Sequence, residues 1–142
     1  MGDTERTTWQ SLFGEVIDTP GRADMIELGA LVPVPDKTAR EAGIGVPVGL
    51  TRAAWEDCVA WTEADDARKH ALQDEDGRLW DVLCMTRAVI VRSRGESRAM
   101  VRLHRVPREG PGVRARLVTL LAVIGPGDEG EPVMTVMQPD EA

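Results

Sequence analysis

The sequence is poor in aromatic residues, with no tyrosine and a single phenylalanine, Phe13. Large ring contacts therefore fall to Trp9, Trp55, Trp61 and Trp80. Only two cysteines are present, Cys58 and Cys84, 26 positions apart. That spacing matches no zinc or redox motif, and reduced, buried thiols are the expected state, since free cysteine behaves as a small hydrophobe. A disulfide is the minority alternative. Lysine is almost missing, two against fifteen arginines. The excess of Arg, Gly and Ala, all read from GC-rich codons, points to a GC-rich genome.

No apolar run approaches the roughly 20 residues that span a bilayer. Met1–Gln10 is polar and carries Asp3 and Glu5. It lacks the basic start and apolar centre of a secretory signal. Arg6 stands where a myristoylation motif needs Ser or Thr, despite Gly2. The expected location is the cytoplasm, with no membrane partner.

Most site chemistries fail on spacing. His70 and His104 are 34 apart, and a zinc site from these two with Cys58 and Cys84 is asked for by nothing in the pattern. Asp74–Gly77, "DEDG", has the flavour of a calcium loop, but Leu72 and Leu83 occupy acid positions of that loop. A helix-cap turn suits it better. In Gly43–Gly49, "GIGVPVG", the third glycine comes one residue late for a dinucleotide fingerprint, and no strand is expected before it. "GPGDEG" places acids where a phosphate cradle needs bare amides. No serine sits in a nucleophile elbow. Cys58 falls on a face expected to be buried, where a thiol is inert. No catalytic residue, cofactor-binding residue or metal ligand is assigned, and a small enzyme ranks last among the readings.

What is present is a well-mixed globular composition of 142 residues, 42% hydrophobic and 29% charged. That length suits one domain, spanning 1–142, which would bury roughly 70% of the surface its unfolded chain exposes. Residues 1–8 are expected to fray. Trp9, Leu12, Phe13 and Val16 share a helical face, and Thr19-Pro20-Gly21 breaks the chain. Arg22–Leu28 predicts a short helix closed by Gly29. Ala30–Val34 predicts a strand that Pro33 confines to an edge. Asp36 is expected to cap a helix over Lys37–Ala42, and Thr51 one over Arg52–Ala64. After a turn at Gln73–Gly77, the spacing of Leu79, Leu83 and Ile90 predicts a helix over Leu79–Ser93, closed by Gly95.

Beyond Gly95 the residue period changes from 3.6 to 2. Ala99, Val101 and Leu103 alternate with Met100, Arg102 and His104. Arg114–Ile124 and Val133–Gln138 follow as strands, separated by the turn-forming Gly125–Pro132. The middle strand is apolar on both faces and is expected to be covered on both sides for most of its length. The expected fold is α+β: a mainly helical part, 9–94, packed through its Trp55/Trp61 and Leu79/Trp80 faces on one side of a C-terminal three-stranded antiparallel meander, 98–139.

The charge is divided along the chain. Met1–Asp81 has 17 acids and 8 bases, net −9; Val82–Ile124 has 2 acids and 9 bases, net +7; Gly125–Ala142 has 5 acids and no base. The basic residues gather in Arg98, Arg102, Arg105, Arg108, Arg114 and Arg116, with His104 as a seventh if protonated. Three readings fit this hairpin. Its arginines can lie on a solvated face, pair with the acidic helices and cover apolar surface with their stems. They can grip nucleic-acid phosphates, although no aromatic lies among them to stack bases and the net charge of −7 opposes approach. Or they can meet a protein partner or a second copy, acidic half against basic half.

Leu12–Ile17, Thr38–Asp65, Asp74–Leu83 and Leu117–Pro139 together cover about half the chain. Their phrases "VPVGLT", "DGRLWDVL" and "GPGDEGEPV" resemble an uncharacterised family of small actinobacterial proteins often carried on plasmids, phages and integrative elements. The resemblance implies a cytoplasmic accessory role on mobile DNA and carries over no functional residue. It also raises a DNA-mimic role against host defence, for which a net charge of −7 is modest. The reading that results is a small acidic accessory protein acting through protein contacts or self-association. A nucleic-acid-binding hairpin is the alternative.

Overall fold

The computed structural model describes residues 21–142. The stripe of Trp9, Leu12, Phe13 and Val16 lies outside the described residues. The chain runs α1 (Arg22–Glu27), β1 (Leu31–Pro33), α2 (Asp36–Glu41), β2 (Val48–Thr51), α3 (Arg52–Cys58), α4 (Glu63–Lys69), α5 (Glu75–Arg92), β3 (Arg98–Arg105), β4 (Arg116–Pro126) and β5 (Pro132–Met137), then a 3-10 turn at Pro139–Glu141.

The five strands form one mixed sheet in the order β1-β2-β5-β4-β3. β3, β4 and β5 are consecutive and antiparallel, so the meander exists. It is not the whole sheet. β2 joins it parallel to β5, Val48 opposite Met134, and β1 pairs antiparallel with β2. The α+β class holds, while the three-stranded antiparallel sheet is corrected to five strands with one parallel pair. The supposedly helical half contributes two strands. β2 is short and carries Gly49 after Pro47, a composition depleted in strands. Its residues hold because Val48 and Leu50 are buried against the meander's inner face. β1 pairs on one side only, as Pro33, with no N–H to donate, requires.

The helices differ from expectation at their ends. Thr51 caps α3, its Oγ1 accepting from Ala54 N at 3.2 Å. The expected single helix over Arg52–Ala64 is two. Val59 ends the first, and Thr62 opens the second in a reciprocal cap with Asp65, Thr62 N donating to Asp65 Oδ2 at 2.8 Å. Such a capping box satisfies two amides that the first helical turn leaves bare. α5 begins four residues earlier than the periodicity suggests, because Asp74 Oδ1 accepts from Gly77 N at 2.6 Å. Asp36 is the first residue of α2 rather than its cap. Gly95, at φ +77°, reverses the chain between α5 and β3.

The inner sheet face carries Val48, Leu50, Val101, Leu103, Leu120, Ala122, Met134 and Val136 against Ala54, Cys58 and Val59 of the α3 region and Leu79, Val82 and Leu83 of α5. Full burial of one such aliphatic chain contributes about 2 kcal/mol. Trp55 packs against this core, whereas Trp80 is 41% exposed and outside it. On the other sheet face, Arg22 of α1 reaches Thr135 and Met134 O. Asp128, from the turn between β4 and β5, accepts from the N–H groups of Arg22 and Ala23, and these bonds, Ala23's first, hold its carboxyl below the usual range. The expectation that β4 is covered on both faces holds for Leu120, Leu121 and Ala122 and fails at its start, where Leu117 is 59% exposed.

Candidate partner-binding site

The basic hairpin separates into two environments. At its loop end, cations are consumed by acids of α3 and α4. Arg105 places Nε and Nη2 on Asp57 Oδ1 at 3.1 and 2.7 Å. Arg108 donates from Nε to Asp65 Oδ2 at 2.8 Å and from Nη1 to Glu56 Oε1 at 2.9 Å. Burial pushes the Asp65 carboxyl up, but hydrogen bonds from Thr62 and Arg108 outweigh it and hold the group at about 2. Arg68 completes its coordination. Lys69, only 3% exposed, donates Nζ to the carbonyls of Glu109, Gly110 and Gly112 and so clamps the loop after β3 to α4.

Beside this corner Arg78 of α5 is buried. It donates to Val59 O, Val106 O, Asp57 O and Gln73 Oε1, with its guanidinium carbon 4.8 Å from the Trp61 ring centre. A buried guanidinium costs several kcal/mol in lost hydration unless each donor finds an acceptor. Here four carbonyl-type acceptors from three chain segments converge on it, so α3, α5 and the loop after β3 are locked together.

The other cations behave differently. Arg98, Arg102 and His104 project from the outer face of β3 opposite Val123, Thr119 and Leu117, and all three are exposed. Arg114 and Arg116 are exposed near the loop end. None of these five forms an ion pair among the described residues. The seven expected site residues therefore do not make one patch: Arg105 and Arg108 are structural, Arg98, Arg102 and His104 share an open face, Arg116 lies on the alternate strand parity, and Arg114 precedes β4.

β3 is the terminal strand, and among the described residues no element pairs with its far edge. Two adjoining clefts run along it beside α5, of about 160 and 340 Å³, sharing Asp81, Leu103 and His104. Cys58, Arg78 and Arg105 line the smaller cleft. Cys84, Met85, Arg102 and Leu117 line the larger. Outward of the groove, Met100 is 51% exposed. The surface is thus an unpaired strand edge with apolar and cationic side chains around it. Such an edge presents free N–H and C=O groups that a further strand can pair.

The clefts offer little for catalysis. Cys58 lies near His104 and Asp81 rather than His70, and no described hydrogen bond joins it to a histidine. Its Sγ donates to Asp57 at 3.6 Å. Burial first, then Asp57, pushes the thiol up to about 12, which leaves it protonated and poorly nucleophilic. Both cysteines are free. Among the described residues no three His, Cys, Asp or Glu side chains stand together as metal ligands, and no described helix is long and apolar enough to cross a membrane.

Sequence reasoning missed Arg78, Lys69, Asp81 and Met85. "TEAD" before Lys69 carried a visible capping signal. Nothing in the charge pattern marked Arg78 or Lys69 as buried.

A family of unknown function, DUF6573, matches residues 11–142, and the chain belongs to that family. No curated protein and no solved structure matches it.

Proposed function

We propose that this member of the DUF6573 family is a cytoplasmic accessory protein without catalytic activity, which acts by binding another protein through the β3 edge. The carrying observation is the groove itself: an unpaired strand, exposed Met100 and Leu117, and cations that no described acid neutralises. Apolar anchors ringed by charge suit protein recognition, with the charges setting register and encounter rate. The phrases shared with the mobile-element family, together with the arginine-rich usage, support carriage on actinobacterial mobile DNA.

Nucleic-acid binding by the hairpin is the second reading, favoured by exposed Arg98, Arg102, Arg114 and Arg116. It is weakened because Arg105 and Arg108 are committed to Asp57, Asp65 and Glu56. Asp81 also lies in the groove, where a phosphate would meet repulsion. The experiment that separates the readings replaces Met100 with a photo-crosslinking residue in the native host. The protein reading expects a protease-sensitive adduct whose purified partner binds wild type and loses at least tenfold affinity to R102E. A nuclease-sensitive adduct, or a partner indifferent to R102E, would overturn it.

A further inference from the structure

Resting on the protein-binding reading, we infer that the occupant of the β3 edge is an extended segment of a partner protein with acids at alternate positions, facing outward, and apolar side chains between them, facing α5. Strand addition needs an unpaired edge, and β3 has one along eight residues. Side chains directly opposite on antiparallel strands share a face and approach closely. A strand added to β3 therefore sets one of its faces beside Arg98, Met100, Arg102 and His104. Carboxylates there meet cations that have no ion pair among the described residues. Its other face meets Leu103 and Met85 and passes Asp81, which favours apolar side chains and repels acids.

A second copy of this chain is a poor occupant on the same geometry. A two-fold axis would pair β3 with itself, outer face beside outer face, so paired residues must share number parity. Centred on Met100, Arg98 faces the other copy's Arg102. Centred on Val101, Arg98 faces His104. Centred on Arg102, that arginine faces itself; centred on Leu103, it faces His104. Registers centred on Met100 and Arg102 set arginine against arginine, which destabilises a strand pair, and those centred on Val101 and Leu103 set arginine against His104, which offers no acid to offset the charge. Edge strands are commonly protected in this way, and the same arginines that bar self-pairing select an acidic strand.

The test uses the full chain and eight-residue capped peptides. One alternates Glu and Val; a second has the same composition in two blocks; a third alternates Lys and Val. A single-stranded oligonucleotide is the fourth probe. Binding is followed by titration and by amide hydrogen exchange. The alternating Glu/Val peptide should bind at least tenfold more tightly than the block and Lys peptides, and should slow exchange in β3 while leaving β5 unchanged. An R98E/R102E variant, its fold checked by circular dichroism, should reverse the preference toward the Lys/Val peptide. Equal binding of the alternating and block peptides would overturn the inference. So would no binding, protection of β3 by the oligonucleotide instead, or a dimer protecting β3 without peptide. If the peptides fail while the Met100 cross-link yields a protein sensitive to R102E, the partner chemistry falls and the binding role stands.

Discussion

The corner around Asp65 and the outer face of β3 draw their arginines from one short stretch of chain, yet the two regions use them in opposite ways. In the corner, Arg108 bridges Asp65 and Glu56, Arg105 holds Asp57, and Lys69 grips three carbonyls of the loop between β3 and β4. On the outer face, Arg98 and Arg102 stand opposite Val123 and Thr119 of β4 and form no ion pair among the described residues. The difference is one of place. Arg105, the last residue of β3, and Arg108 beyond it meet acids in the last turn of α3 and the first turn of α4. The arginines within the strand on its outer side stand opposite β4 and beside the cleft along α5, in no ion pair among the described residues. Charge of one sign, gathered in sequence, therefore serves folding at one end of a hairpin and, among the described residues, stays out of ion pairs along its length.

Substitutions sharpen this contrast, beginning with the most severe. Arg78→Ala should cost about 4 kcal/mol, because Val59 O, Val106 O and Asp57 O lose a buried donor at once; urea denaturation reads it. Asp65→Ala should cost about 3 kcal/mol, because it removes a buried carboxylate that holds Arg108, Arg68 and the Thr62 amide and leaves Arg108 only Glu56, measured in the same way.

The corner should also respond to acid. Asp65 titrates lower in the folded protein, about 2, than its usual 3.8. The unfolded state thus binds the proton more readily, and the stabilisation is present above the usual value. It is lost as pH falls from the usual value through the folded one. Melting temperature followed across that window should fall in the wild type and be flatter in D65N, which starts lower. Thr62→Ala should cost about 1 kcal/mol, the usual worth of an N-cap.

Part of this arrangement was legible in the sequence. The change of period after Gly95 located β3, and the alternation of Val101 and Leu103 with Arg102 and His104 told inward from outward. Pro33 placed β1 at an edge, and Thr51 started α3. β2 was not legible, because four residues containing a glycine carry no periodic signal and their pairing with β5 is decided over more than 80 positions of chain. The division of the arginines was hidden for a related reason. Arg105 and Arg102 look alike in a charge count, and only the packing of α3 and α4 beside the hairpin loop commits one of them to Asp57.

The most direct test compares two double variants in urea. R105A/R108A removes the committed pair, and its unfolding midpoint should drop clearly, by about 3 kcal/mol of stability for the partly buried network. R98A/R102A removes the uncommitted pair and should stay within about 0.5 kcal/mol of wild type. Equal destabilisation by both would contradict the account, since the outer arginines would then be holding the fold rather than standing ready for a partner.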